Sequence, residues 1–538
     1  MMLITATLAL GLLCPITPQS GPKLEETATP FGDLKAMRSR PKQARATKDR
    51  HEQNLWLTPA RLVSGNADTV GSVHHAEGVD QIWLNEKNVA EFERVYTLWV
   101  GNNDGSYAAI VRDGGSDVVV INGKKVDWLD RVDMLWMDAS GKHVAVSGAK
   151  DGKNTLAVDG KTFVLPGTLA QGTRPRKNAD ARNTNEQYVL PFRTYQHFQF
   201  SADGTQWLAL VDCKGHVQTM ANGGLGPEYA AIRTARFSPD GKRLACAGTT
   251  KKGKSFAGSL LLDGKPKRIR DGVSSLTFSP DSSRLAFVSA TPGRKKPTNR
   301  GAKPKLPRPG GRLVVGDYRS AAYDDVGPIA FSADSKRWAV LVRKGKKVSA
   351  IIDGEIKSAG TAPKDTSMFF LLAPVFSPDC SRVAYWRYKD KQVSCHVDGL
   401  KHGFHDRVLD IRFSPDSKRV VVLTADGDEN SVFVDGKLHR KVPLTRGGGT
   451  FGTRMAAPSF LSPNLMSRSM RVRWTPDSRH LIEIRGSGPS HQIRIGGSEV
   501  AAKLALFATE VTTDEHGWLR FWGGERTGKF VRLAVTYD

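Results

Sequence analysis

The sequence predicts an all-β fold: a β-propeller built from ten or eleven four-stranded blade repeats, set as one large ring or as two tandem smaller rings. Three observations predict it. A ten-residue phrase recurs: FSPDGKRLAC at 237, FSPDSSRLAF at 278, FSPDCSRVAY at 376 and FSPDSKRVVV at 413, with looser copies at 200, 331 and 474. A second phrase recurs between the copies: INGK at 121, VDGK at 158, LDGK at 262, IDGE at 352, VDGL at 397 and VDGK at 434. The aspartates of the first phrase are Asp203, Asp240, Asp281, Asp334, Asp379, Asp416 and Asp477, spaced by 37, 41, 53, 45, 37 and 61 residues. A period of that size written in strand-forming residues belongs to a propeller or an array, and the uneven spacing marks insertions into a fixed unit.

One unit, residues 259–290, shows how each element arises. SSLTF (strand a) and RLAFVS (strand b) are short runs of β-forming residues joined by SPDS or SPDG. Pro presets φ in that turn, Asp bonds the backbone ahead, and Gly closes it, so the seven aspartates read as structural turn residues. LLLDGKPKRI supplies strands c and d around Asp-Gly, whose type I′ turn needs positive φ twice. Strands a and b are expected to be apolar on both faces. Strand d carries Lys and Arg, as an exposed edge does. Ten units run from about residue 82 to the end, and WLTPARLVSG, residues 56–65, is a candidate eleventh.

The phrase F-S-P-D-G-K-R-L-A resembles the signature of WD40-like Pro-Asp repeats, found in the TolB propeller, in tricorn-type proteins and in the propeller of prolyl-oligopeptidase-type enzymes. The resemblance covers about residues 100 to 480. It implies a β-propeller and is nearly silent on function.

Ahead of the repeats, residues 1–20 are expected to be a signal peptide. MMLITATLALGLLC holds an apolar run of about twelve residues, too short to cross a bilayer, with Cys14 as a candidate lipid-anchor residue. No Lys or Arg precedes the run and no A-x-A site follows it. The expected location is extracytoplasmic: periplasmic, secreted or lipid-anchored. No other window is apolar enough for a transmembrane helix. Residues 21–55 read as a polar basic linker and 56–538 as the propeller repeats. The insertion 291–312 is the candidate boundary between two rings. A break there would let strands c and d at 82–92 close a five-blade ring against strands a and b at 274–290.

Chemistry-bearing motifs are absent from the sequence. It has no GxSxG elbow, no P-loop and no HExxH. The five cysteines form no CxxC, and Cys246 reads as a small buried apolar residue. Cys395, His396, His402 and His405 are the nearest approach to a zinc set, but adjacent residues on a strand face opposite sides. Asp426, Asp428 and Glu429 lack the Gly and final Glu of a calcium loop. No metal and no cofactor is expected.

An a-b-c-d meander puts all a–b and c–d turns at one end and all b–c and d–a connections at the other. The long insertions fall at the second end: 165–193 and 443–473 as d–a connections, 291–312 as a b–c loop. They are basic. The net charge is +25, which draws anionic partners. The candidate anion-binding residues are Arg294, Lys295, Lys296, Arg300, Lys303, Lys305 and Arg308 in one loop and Arg446, Arg454, Arg471 and Arg473 in another. Residues 165–193 add Arg174, Arg176, Lys177, Arg182 and Arg193, and the b–c loop RKGKK, 343–347, agrees. The expected function is a non-catalytic scaffold binding a macromolecular partner, namely another protein. The alternative is a propeller binding an acidic glycan or other polyanion through these loops, and the third is an enzyme with its site in the channel mouth.

Overall fold

The computed structural model describes residues 24–27 and most of 63–535. Residues 1–23, 28–62, 170–197, 291–309, 362–372 and 444–470 lie outside the described set, as do short stretches between strands. Every element among the described residues is a strand; no helix occurs. The described strands form nine sheets, two of which each join a pair of consecutive meanders, so eleven meanders follow one another among the described residues. We number these blades 1 to 11. Blade 5 is representative: Ala231–Phe237, Leu244–Lys252, Ser255–Leu262 and Lys265–Ile269 pair in that order, all antiparallel. This is the propeller blade that the repeat predicts.

Burial refines the expectation. Strands b and c are the ones buried on both faces, as in Trp338–Lys344 and Lys347–Ile352 of blade 7. Strand a alternates, as in Arg407–Phe413 of blade 9, where Val408, Ile411 and Phe413 are buried and Arg412 is exposed. Strand a is an edge strand, so its sequence, apolar as it reads, is only half covered. Successive a strands touch one another: Arg94–Val100 meets Arg131–Met137, and Arg407–Phe413 meets Arg471–Trp474. The a strands therefore form the inner edge. Blade-to-blade faces hold the core. One cluster runs through three blades, from Leu341 and Ala350 through Val383 and Trp386 to Ile411 and Val422.

Both repeated turns take the expected backbone. In the c–d turns at 122, 159, 222, 263, 353 and 435, Asn or Asp sits at φ 48° (Asn122) to 52° (Asp353), followed by Gly at 76° (Gly264) to 94° (Gly354). Those two positive φ values are the type I′ requirement. In the a–b turns the fourth residue is also at positive φ, yet it is glycine only in Gly141, Gly204 and Gly241; elsewhere it is Ser282, Ser335, Cys380, Ser417 or Ser478.

Four sequence assignments change. Leu24–Thr27, read as linker, pairs antiparallel with Phe530–Val535 and supplies the fourth strand of blade 11. The insertion read as a d–a connection in 165–193 instead interrupts strand a of blade 4: Thr168–Leu169 and Phe198–Phe200 both pair with Trp207–Asp212. The pairing proposed for a five-blade ring does not form. Val79–Leu84 pairs with Val70–Ala76, and Leu285–Ala290 pairs across the 291–312 insertion with Gly311–Val315. Residues 291–309 lie outside the described set; they separate Ala290 at the end of strand b from strand c, to which Gly311 and Arg312 belong. Val63–Ser64, in the stretch read as a candidate eleventh unit, is instead the first strand of the blade that holds the unit at 82–92; the additional blade is the C-terminal one closed by Leu24–Thr27.

Candidate binding face

The two ends of the blades are built differently. At the end carrying the a–b and c–d turns, the ten-residue phrase is a seam device. Its Ser hydroxyl donates to the turn Asp, as Ser279 Oγ does to Asp281 Oδ1 at 2.6 Å, and accepts the Arg284 N–H at 2.9 Å. The Asp accepts the N–H two residues on, as Asp240 Oδ1 does from Lys242 at 3.1 Å. The Arg crosses to the next blade. Arg337 Nε donates to Asp353 of its own c–d turn at 2.9 Å, and its Nη1 donates to the carbonyls of Cys380 and Ser381 in blade 8 at 3.2 and 2.7 Å. Its guanidinium lies 5.4 Å from the Phe376 ring, the Phe of the next copy. Arg243 over Phe278, Arg284 over Phe331, Arg382 over Phe413 and Arg419 over Trp474 repeat that stacking. The Phe and Arg of the phrase thus meet across seams, not within one blade.

Serine at positive φ has a reason here. Ser282, Ser335, Ser417 and Ser478 accept the backbone N–H of the preceding blade's Asp240, Asp281, Asp379 and Asp416, at 2.8 to 3.0 Å. The turn aspartates are held as anions. The Ser279 hydroxyl and Ser283 N–H bring Asp281 down to about 2, and Ser377 and Ser381 do the same for Asp379. Hydroxyl and backbone donors also lower Asp203, Asp240, Asp334 and Asp416. Asp477 accepts from Thr475 and from the Arg479 N–H. Every one of the seven is occupied within its own turn.

The opposite end has a plainer device. An acid at the d–a junction accepts an N–H of the b–c turn: Glu93 from Gly115, Asp130 from Asp151, Asp324 from Gly345 and Asp406 from Gly427. In blade 7 Arg343 and Asp325 form a buried ion pair beside this turn. In blade 9 His405 Nδ1 lies 2.6 Å from Asp426. Burial works to raise Asp426, but His405 and the Asp406 N–H bring it below its ordinary value.

The sequence-predicted sites fare unequally. Arg294, Lys295, Lys296, Arg300, Lys303, Lys305, Arg308, Arg446 and Arg454 lie outside the described residues, as do Cys14, Asp428 and residues 170–193. Arg471 and Arg473 are not loop residues. They belong to strand a of blade 10, in register with Ile484 and Ile482. No cluster of three metal-ligating side chains occurs among the described residues. Cys395 is buried, His396 stacks on Tyr385 at 4.7 Å, and His405 turns to Asp426, so the CHVDGLKHGFH set is dispersed. Burial pushes the thiols of Cys246 and Cys395 up to about 12, so neither is a nucleophile at neutral pH. No described helix is long and apolar enough to cross a membrane.

Sequence reasoning missed the join between blades 7 and 8. The end of strand d of blade 7, Glu355–Thr361, runs parallel to strand b of blade 8, pairing Gly360 with Tyr388 and Thr361 with Lys389. Gly360 has φ 96°, and a Cβ there would meet the Tyr388 carbonyl at 1.9 Å. Only glycine permits that approach. Its signal in the sequence is a lone Gly in a strand.

No family model matches the chain, and neither does any curated protein. Solved structures that resemble it include the Dos1 propeller, at 12% identity and TM-score 0.28 over 76% of this chain and 94% of that one. The β-propeller domain of the trilobed protease from Pyrococcus furiosus gives 12% and 0.23 over 56% and 94%. The dihydro-heme d1 dehydrogenase NirN gives 12% and 0.27 over 88% and 76%. The class, a β-propeller, rests on the strand order and turns described above.

Proposed function

We propose that this chain is a non-catalytic, extracytoplasmic scaffold that binds a macromolecular partner on the end carrying the b–c and d–a connections, and that its repeats are kin to the Pro-Asp repeat propellers. One observation carries the reading. The Ser, Asp and Arg groups of the a–b turns are engaged within the turns and across the seams, while the b–c and d–a connections, which differ in length from blade to blade, lie at the other end. Variable loops on a rigid frame are where binding concentrates.

Site-specific photo-crosslinking in cells tests it. A crosslinker at Lys346 (b–c turn of blade 7) should capture a partner, and one at Lys437 (c–d turn of blade 9) should not. Capture only from Lys437, or from neither, overturns the reading. Fractionation with N-terminal sequencing tests the location; a cytoplasmic protein retaining Met1 overturns that part.

A further inference from the structure

The join between blades 7 and 8 lines up cations that the sequence keeps apart. Lys344 pairs with Lys347, Lys347 with Thr361, Thr361 with Lys389, and Lys389 with Gln392. Directly paired residues share a sheet face, so these five form one row across two blades. All five are exposed, as are Lys346 in the turn and Arg387, two residues from Lys389 on the same face. Neighbouring strands are about 4.8 Å apart, which puts the Lys347 and Lys389 backbones about 10 Å from each other with the Thr361 strand between them.

The row is positioned rather than incidental. The parallel pairing that creates it needs the glycine at 360. Beneath its blade 7 end, Arg343 is neutralised by Asp325 in the buried pair. Lys389 lies 6.0 Å over the Phe404 ring. Lys344, Lys346, Lys347 and Arg387 have no ion pair among the described residues. Asp324, the acid beside the turn, accepts the Gly345 N–H on its Oδ2 at 2.6 Å.

The geometry points to this row as a binding site for a linear acidic polysaccharide lying across the strands. This rests on reading the connection end as the binding end. Point charges on flexible lysine stems, separated by one and two strand spacings, suit carboxylates or sulfates carried on successive or alternate sugars. A single-stranded nucleic acid would look for aromatic platforms, and the row presents none, since Phe404 sits under Lys389.

The test uses the full chain and a sulfated uronic-acid octasaccharide, with affinity measured by fluorescence anisotropy from low to moderate salt. The wild type should bind, and the affinity should fall steeply as salt rises. The variant Lys344→Ser/Lys347→Ser/Lys389→Ser should lose about tenfold or more with a shallower salt slope, as expected when charge contacts are removed. The equal-charge control Lys124→Ser/Lys161→Ser/Lys437→Ser, on c–d turns, should stay within about threefold of wild type, as a distant surface change should. Circular dichroism melts verify that both variants remain folded. Equal losses in the two variants overturn the site. Single-stranded DNA of matched length binding as tightly as the octasaccharide overturns the ligand class. No binding by the wild type overturns the inference outright, and leaves the scaffold reading to be decided by the crosslinking.

Discussion

The two ends of the blades differ in where their polar groups go. At the turn end a single arginine such as Arg337 serves its own c–d turn, two carbonyls of the next blade and an aromatic ring. At the connection end the acid-to-turn bonds stay within one blade, Asp324 to Gly345 and Asp406 to Gly427, the one join between blades described there is the backbone pairing of Thr361 with Lys389, and lysines such as Lys346 are exposed. Repetition in this sequence therefore marks internal holding, and on the proposed function variation marks the surface left for a partner. The phrase recurs because each copy must fit the copy before it.

The largest effect should come from breaking a latch. Arg337→Ala removes hydrogen bonds to Asp353, Cys380 and Ser381 and the contact with Phe376, and it leaves Asp353 without its cation. We expect a loss of about 2–3 kcal/mol, read from denaturant midpoints. Lys346→Ala at the connection end should change stability by less than about 0.5 kcal/mol. Similar losses from the two would erase the distinction between the ends.

A smaller effect sharpens the point at one residue. Ser335 holds φ 60° and accepts the Asp281 N–H at 2.8 Å. Ser335→Ala keeps the backbone penalty and loses the acceptor, so it should cost about 1–2 kcal/mol. Ser335→Gly also loses the acceptor but relieves the backbone, and should cost less than the alanine by about 1 kcal/mol. If alanine is the milder of the two, the serine is not there for the seam.

Much of this architecture was legible in the letters. Asp-Gly fixed the c–d turn because few residue pairs accept two positive φ values, and SPDG fixed the a–b turn through Pro and Asp. What the letters could not give was the partner of a repeated residue. Arg243 and Phe278 sit 35 positions apart and meet only because consecutive blades stack. Burial of strand a was overread for a related reason: an apolar run does not say whether a strand lies at the edge of its sheet. The cationic row was invisible because Lys347 and Lys389 come together only through a parallel pairing that depends on Gly360. Arg471 and Arg473 were taken for loop residues because the insertion before them gives no sign of where the strand begins.

The smallest effect is a titration, and it separates the ends by pH alone. Asp281 and Asp379 at the turn end are lowered to about 2 by the hydroxyls and N–H groups around them. An unfolded aspartate titrates near 3.9. A carboxylate with a depressed folded pKa stabilises the fold above its unfolded value, and that contribution is lost as pH falls through the folded one. The window is therefore about pH 4 down to about pH 2. Wild-type midpoints should fall across it, and Asp281→Asn/Asp379→Asn should show a shallower fall, because Asn still accepts the backbone N–H but does not titrate. Both aspartates face outward within their turns, so solvent screens them and the slope change should be modest. Lys344→Ser/Lys347→Ser/Lys389→Ser, at the other end, removes no group that titrates in this window and should leave the slope unchanged. A slope that follows the lysines and ignores the aspartates would place the acid-sensitive contacts at the connection end and reverse the assignment of the two.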